Sequence, residues 1–148
     1  MDLRPYRPAD RDACLAVFDS NTPGFFEAHE RAGFAEFLLC PNHRYFVMQH
    51  DGAIVGCGGY CVWAEQARLE WGMVRREWHR QGLGRFLLLF RLREITKTGG
   101  VQMVGVGTSQ HAAPFFVRQG FKVVSVEKDG YAAGLDRVEL TMKLSVCP

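Results

Sequence analysis

The chain has 148 residues, of which 47% are hydrophobic and 23% are charged. This length suits a single domain over residues 1–148, and the composition argues against disorder, collagen-like repeats and a disulfide-dense miniprotein. Eighteen Lys and Arg residues against 16 Asp and Glu residues leave a net charge of only +2, so no global charge marks a protein that binds nucleic acid or a membrane surface.

The N-terminus and the cysteines favour a protein of the reducing cytoplasm. The start of the chain is charged and lacks the apolar stretch of a signal peptide, and the longest strongly apolar block, Phe86 to Phe90, is far short of the ~20 residues of a membrane span. The five cysteines include no Cys-x-x-Cys pair and stand at no zinc-like spacing from the histidines. We therefore expect free thiols and no metal site at Cys14, Cys40, Cys57, Cys61 and Cys147.

The first half of the chain predicts two helices and an antiparallel hairpin. The hairpin is centred on Asp51-Gly52, where glycine supplies the positive φ that a two-residue turn requires. The helices follow from apolar residues at helical spacing. In chain order we predict a strand over 2–6, a helix from Pro8 or Asp10 to about Ser20, a helix over 26–38 stopped by Pro41, and strands over 45–48 and 53–56.

The second half predicts a strand–helix–strand unit, which demands a parallel pair and a right-handed crossover. Its helix carries Leu83, Phe86, Leu87 and Phe90 on one face. Together with the first half, we expect a mixed sheet of about seven strands with about four helices. The predicted elements are a strand over 69–74, a helix over 82–96, a strand over 101–106, a helix from Ser109 as N-cap to Arg118, and strands over 121–127 and 138–144.

A glycine loop precedes the long helix of this unit, in the sequence His79-Arg80-Gln81-Gly82-Leu83-Gly84-Arg85. Unpaired N–H groups at a helix N-terminus favour an anion, and two glycines let a phosphate approach the main chain, so a diphosphate suits the loop. The spacing does not fit a Rossmann fingerprint or a P-loop. A Gly-x-Gly pair alone can also be a simple turn.

Three blocks of sequence occur in order: Leu69-Glu70-Trp71-Gly72-Met73-Val74, then Arg80 to Leu88, then Thr108 to Phe121. They closely resemble the GNAT family of N-acetyltransferases, over about residues 45–125 in motif and over the whole chain in element order. The resemblance implies acetyl transfer from acetyl-coenzyme A to a primary amine, by direct attack in a ternary complex. It also implies an α/β fold with a mostly antiparallel sheet whose central parallel pair splays apart.

The resemblance also implies roles for individual residues. Met73 and Val74 would line the gap for the pantetheine arm, and a backbone N–H of one of them would stabilise the oxyanion. The diphosphate would be held by Arg80, Gln81, Gly82, Leu83, Gly84 and Arg85, while Ser109 and Phe116 would complete the coenzyme site.

Glu70 is our candidate for the catalytic base, because an alkyl amine with a pKa near ~10 must lose a proton before it attacks. Glu65 and His111 are second choices. Each of these side chains could equally be an ordinary surface or salt-bridged residue.

Charge is unevenly distributed along the chain. Residues 75–97 hold seven basic and two acidic side chains, a local charge of +5 that leaves −3 elsewhere and would steer a cofactor with three phosphates. We assign only Arg80 and Arg85 to phosphate, since Arg91 and Arg93 fit a solvated helix face. Phe86 and Phe90 do not interleave with the basic residues, which disfavours nucleic acid as a partner.

Three positions depart from the family pattern. His79 stands where Gln or Arg opens the glycine signature, and Ser109 replaces a frequent Asn but can still donate to pantetheine. Phe116 stands where a tyrosine often protonates the departing thiolate. Since a thiol has a pKa near ~8.5, the thiolate can leave without that acid, and water or Ser109 could protonate it.

The acceptor is less well defined by the sequence than the donor. The resemblance assigns acceptor choice to residues 20–42 and 128–137, where Glu27, Glu30 and Glu36 could attract a cationic amine or simply form a solvated face. We favour a small molecule or amino acid. The alternatives are a protein N-terminal or lysine acetyltransferase and an acyl-coenzyme A sensor without turnover, and a homodimer is left open.

Overall fold

The computed structural model describes residues 1–39 and 44–144, which contain seven strands and four α-helices. This confirms the predicted mixed sheet. The elements are β1 (Asp2–Pro5), α1 (Arg11–Ser20), α2 (Arg31–Phe37), β2 (Arg44–His50), β3 (Ala53–Trp63), β4 (Gln66–Val74), α3 (Leu83–Thr98), β5 (Met103–Thr108), α4 (Ala113–Arg118), β6 (Lys122–Ala132) and β7 (Leu135–Lys143).

Two predicted helices begin later than expected. The segment before α2 forms a single 3-10 turn, Ala28–Glu30, because the Glu30 carboxylate accepts the Glu27 N–H at 2.8 Å; the expected stop, Pro41, lies outside the described residues. Ser109 is not the N-cap of α4. Its hydroxyl accepts the His111 N–H at 3.3 Å in a local turn, and the helix starts four residues later, beside a proline in its first turn.

The buried face of α3 differs from the predicted one. Leu87, Leu88, Arg91 and Ile95 are buried, whereas Phe86 is 43% exposed. The buried positions have helical spacing, but an arginine occupies one of them. The apolar pattern therefore indicated part of the buried face, since Leu87 belongs to it and Leu83 and Phe90 pack at its margin, but it wrongly included Phe86.

The strand order is β1-β2-β3-β4-β5-β7-β6, and within the described residues only β4 and β5 pair in parallel. Their pairing is short, running from Gln66 opposite Met103 to Arg68 opposite Gly105. Beyond Arg68 the two strands have no shared register, although each continues for several residues. The predicted splay is thus present, and it opens a cleft in the middle of the sheet.

Helices cover both faces of the sheet. On one face, α3 and α4 pack through residues such as Leu88 and Ile95 against Leu69 and Val104. On the other face, α1 and α2 pack against β2, β3 and β4, with Phe18 at the centre of the cluster. The cleft between β4 and β5 therefore opens toward both faces of the sheet, and each face is lined by a different pair of helices.

A bulge in β4 changes which side chains face each helix layer. Cys57 pairs with Met73 and Gly59 pairs with Glu70, so Gly58 alone stands opposite two residues of β4. Trp71, one of those two, has a φ of +43°, and its carbonyl accepts the Tyr45 hydroxyl at 2.6 Å. Because of the extra residue, Glu70 and Trp71 both turn toward the α1/α2 face.

Within residues 1–39 and 44–144, no helix is long and apolar enough to cross a membrane, and no three His, Cys, Asp or Glu side chains are arranged to hold a metal ion. Cys14, Cys57 and Cys61 are free thiols, as predicted. Cys40 and Cys147 lie outside the described residues.

Candidate active site

The glycine loop at the start of α3 presents free main-chain donors. Gly82 is the N-cap residue with a φ of +81°, and its carbonyl accepts the Phe86 N–H at 3.0 Å. In the described chain no hydrogen bond uses the N–H groups of Leu83, Gly84 or Arg85. Three adjacent donors at the positive end of a 16-residue helix form a site for an anion.

Charged side chains surround these donors. Arg80 and Arg85 are both exposed, and Arg80 has a φ of +63°, so the loop turns sharply just before Gly82. The His79 ring fixes the loop to the end of β4 through a 2.7 Å contact between its Nε2 and the Val74 carbonyl. His79, a departure in the sequence motif, thus holds the loop against the strand that borders the cleft.

The edge of β4 that faces the cleft can be identified from its hydrogen bonds. Arg75 donates its N–H to the Val55 carbonyl of β3 at 2.8 Å. Because N–H groups alternate along a strand, that of Val74 points away from β3, toward the cleft, and that of Met73 points toward β3. Of the two residues considered for the oxyanion, alternation therefore favours Val74.

Buried Asn21 secures the same strand end from the α1/α2 face. Its Nδ2 donates to the Val74 carbonyl at 2.9 Å and to the Val17 carbonyl at 3.0 Å. Its own carbonyl accepts the N–H groups of Phe25 and Phe26, each at 3.2 Å. Through its side chain and its main-chain carbonyl, this one residue joins the end of α1, an aromatic loop and the end of β4.

The opposite wall of the cleft comes from the end of β5 and from α4. Ser109 is 3% exposed, and since its Oγ accepts the His111 N–H, its proton remains available for donation. Phe116 packs edge-to-face on Phe115 and Phe121, with ring centroids 5.1 and 5.4 Å apart. A Cβ placed on Gly84 would lie 3.6 Å from the Phe115 ring, so α4 adjoins the glycine loop.

Glu70 lies on the α1/α2 side of the cleft. Its strand neighbour Leu69 belongs to the α3/α4 core, so alternation turns Glu70 to the other face. Burial, aided by a hydrogen bond to the Glu70 carboxylate, raises the pKa of the Cys61 thiol to about 11, which keeps that thiol protonated. Trp71, the next residue, faces the same side. Its ring is tilted against that of Phe34, with the two centroids 5.1 Å apart.

An ion pair crosses the cleft on the same side. Arg68 donates to both oxygens of Glu139 at 2.6 and 3.1 Å, and this hydrogen bonding holds the pKa of Glu139 below its usual value. A Cβ on Gly107 of β5 would lie 3.5 Å from the Tyr131 hydroxyl, so that phenol joins the group. Burial raises the pKa of Tyr131, and the charge of Glu30 adds to the shift.

The influence of Glu30 on Tyr131 brings together two segments that are distant in sequence. The charge of Glu30 in the turn before α2 thus acts on the β6–β7 hairpin. The resemblance assigns acceptor choice to both segments, and that assignment stays a prediction. Glu30 is itself partly buried, and this burial raises its pKa. The second-choice bases, Glu65 and His111, are exposed.

Sequence reasoning missed or misplaced three components of this region. Arg91, expected on a solvated face, is 4% exposed and lies beneath β3 and β4; that prediction was wrong, while Arg93 is exposed as predicted. The Arg68–Glu139 pair and Tyr131 were not predicted at all. The spacing of Arg91 from Leu87 and Ile95 was the one signal available, because it places an arginine within an otherwise buried stripe.

Comparison with known proteins agrees with this geometry. The family model for the acetyltransferase (GNAT) domain matches residues 14–144. No curated protein sequence matches the chain significantly.

Similar folds are found among solved structures. A protein from Desulfovibrio desulfuricans assigned to the GNAT family is 24% identical, with a TM-score of 0.82, over 97% of this chain and 99% of that one. The ribosomal-protein-S18-alanine N-acetyltransferase of Escherichia coli is 18% identical, with a TM-score of 0.83, over 99% and 96% of the two chains.

An aminoglycoside 6'-N-acetyltransferase in complex with coenzyme A is 14% identical, with a TM-score of 0.79, over 100% of this chain and 99% of that one. Acetyl-coenzyme A as a co-substrate fits the free donors, basic side chains and open strand edge described above. The chain belongs to the GNAT acetyltransferase family.

Proposed function

We propose that the protein transfers an acetyl group from acetyl-coenzyme A to a primary amine of a small molecule or an amino acid. The observation that carries this proposal is the two-sided cleft between β4 and β5. Free main-chain donors and basic residues lie at its α3 end, and Glu70 lies on its opposite, α1/α2 face. Donor and acceptor can therefore approach the same strand edge from different faces and meet in one ternary complex.

The donor side would hold the coenzyme mainly through the backbone. The N–H groups of Leu83, Gly84 and Arg85 suit a diphosphate. Arg80 adds a positive charge, whose attraction for phosphate is stronger at low salt. The coenzyme supplies an activated thioester. Along the pantetheine path, Val74 offers main-chain groups on the strand edge, and the opposite wall offers the Ser109 hydroxyl and the Phe116 ring.

On the acceptor side, carboxylates suit an amine that arrives as an ammonium ion. Glu30 and Glu70 border this side with Trp71 and Tyr131, which gives an acidic and aromatic environment for a small cation. Glu70 would accept the proton of the attacking amine, directly or through water. The N–H of Val74 would stabilise the oxyanion, because it points into the cleft.

Free-thiol release across a panel of amines tests the activity. The panel includes amino acids, polyamines, aminoglycosides and peptides with free N-termini, and we expect acceptor-dependent thiol release with at least one small amine. If only peptides are acetylated, the acceptor is a protein N-terminus or a lysine and the proposed small-molecule acceptor is wrong.

One observation favours a second candidate, an acyl-coenzyme A sensor without turnover. Phe116 cannot give a proton, and its ring is committed to packing against Phe115 and Phe121. Coenzyme binding with no thiol release from any amine would support the sensor. Acetyl-coenzyme A at ~100 times its dissociation constant should raise the unfolding free energy by about 2.7 kcal/mol in either case, and the absence of such a shift would exclude both.

A further inference from the structure

Arg91 is a buried cation between α3 and the β3–β4 pair. It projects from the third turn of α3 and inserts under β3 and β4, where it is 4% exposed. Desolvation by burial lowers its pKa to about 10, so the guanidinium remains charged at neutral pH. Keeping a charge in this position costs free energy unless some group compensates it.

Within the described part of the chain, Arg91 lacks such compensation. Its hydrogen bonds are two long ones, from Nε to the Leu87 carbonyl and from Nη1 to the Gly59 carbonyl, each at 3.4 Å. It forms no ion pair with any described carboxylate. The titratable groups that act on its charge are the Tyr45 phenol and the Cys57 thiol, and burial raises the pKa of Tyr45, so that phenol is neutral.

Two glycines make room for the guanidinium. A Cβ on Gly72 would lie 2.8 Å from Nη2 and 2.9 Å from Nη1 of Arg91, and a Cβ on Gly58 would lie 3.3 Å from its Cζ. Gly72 is also exposed, and it lies beyond Arg68, in the part of β4 that no longer pairs with β5. The charge therefore lies directly behind the strand edge along which the thioester would bind, separated from it only by a residue without a side chain.

We infer that Arg91 stabilises the negative charge that develops on the thioester sulfur when the acetyl group leaves coenzyme A. This inference rests on the proposed acetyltransferase function. The carbonyl oxygen would have the main-chain donor of Val74, whereas Phe116 offers the sulfur no proton. A fixed cation that does not need to transfer a proton meets that requirement.

The reaction step balances without any further reactant. The amine nitrogen forms a bond to the carbonyl carbon, and the amine proton passes to Glu70 or to water. The carbon–sulfur bond then breaks, and its electron pair stays on sulfur as a thiolate. Arg91 keeps its own protons throughout, and the thiolate takes a proton from solvent after transfer.

The pKa of the coenzyme A thiol bound to the protein tests this role directly, because it does not depend on turnover. Thiolate absorbance is titrated against pH for the wild type, R91M and R93M, where R93M removes an exposed charge from the same helix. We expect the wild type and R93M to lower the thiol pKa by about one unit or more below ~8.5, and R91M to restore it.

Steady-state kinetics give a second reading. R91M should reduce kcat ~10- to 100-fold, while the KM for acetyl-coenzyme A changes less than about threefold. The melting temperature of R91M should equal or exceed that of the wild type, since replacing a buried, unpaired charge by an apolar chain is seldom destabilising. If R91M does not fold, R91Q provides the same comparison with hydrogen-bond donors but no charge.

The outcomes separate this inference from the proposed function. An equal thiol pKa in the wild type and R91M overturns the role of Arg91 even if the enzyme acetylates amines normally. A lower kcat in R91M with an unchanged thiol pKa also overturns it and assigns Arg91 a structural role. Failure of the wild type to bind coenzyme A would instead refute the acetyltransferase itself.

Discussion

The two sides of the cleft are built in different ways. The donor side uses main-chain groups of one continuous stretch, residues 72–85, in which Gly82 and Gly84 expose the backbone. The proposed acceptor side would use side chains from separate segments, among them Glu30, Glu70 and Tyr131. A site made from contiguous backbone leaves a motif in the sequence, whereas a site assembled by the fold does not.

The two sides also differ in charge. Arg80 and Arg85 give the proposed donor side positive charge, and Glu30 and Glu70 give the proposed acceptor side its acidic character, since Glu139 is paired with Arg68. Such a separation would guide an anionic donor and a cationic acceptor to opposite faces and keep each from occupying the wrong one. The following variants change one side at a time.

Replacing Glu70 by Gln should give the largest effect, a roughly 100- to 1000-fold fall in kcat, since the amide cannot accept the amine proton. The kcat of E70Q at saturating substrates is measured across pH, with E94Q on the outer side of α3 as the control. An unchanged rate and pH profile would remove Glu70 as the base.

Neutralising both donor-side arginines, R80Q together with R85Q, should raise the KM for acetyl-coenzyme A about tenfold and leave kcat nearly constant. The KM is measured at low and high salt, and the variant should depend less on salt than the wild type does. R93Q controls for net charge. A fall in kcat at constant KM would place these side chains near the chemistry instead of the phosphates.

The Glu30→Gln variant should act only on the acceptor and more weakly, raising the acceptor KM about two- to fivefold. Because burial raises the pKa of Glu30, its charge is lost earlier than usual as the pH falls, so the acceptor KM of the wild type should approach that of E30Q in mild acid. The KM for acetyl-coenzyme A is the internal reference. A change in that constant would show that the two sides are not independent.

The smallest effect on activity is expected for Asp10→Asn, because Asp10 faces neither substrate. Its carboxylate accepts two 2.8 Å hydrogen bonds from Arg4, which are the main reason why its pKa is lowered. A lowered pKa stabilises the fold above the unfolded pKa of ~3.9, and this stabilisation is lost as the pH falls through the folded value. D10N should therefore melt a few degrees lower at pH 7, and the gap should narrow in acid.

The order of elements could be predicted because hydrophobic spacing and turn residues act locally. The Asp51-Gly52 hairpin and the start of α3 at the glycine loop are examples, and both are present. The parallel pair of β4 and β5 followed from one strand–helix–strand unit. The order of the sequence motifs then predicted that Val74 and the glycine loop lie at the cleft.

The rest depends on tertiary contacts that a linear pattern does not contain. The bulge at Trp71 arises where β4 has one residue more than β3, and it turns Glu70 and Trp71 to the same face. Arg91 occupies a core position because Gly58 and Gly72 leave space for it. Its burial is a property of three segments at once, so an arginine among basic neighbours looked like a solvated residue.

Asn21 has a consequence for the thermodynamics of acceptor binding. Its side chain and its carbonyl fix the Phe25–Phe26 loop to the donor strand when the chain folds, before any substrate arrives. The conformational entropy of that loop is therefore already lost in the free protein and does not oppose association. We expect acceptor binding to resemble the filling of a preformed pocket, with little ordering of the chain on contact.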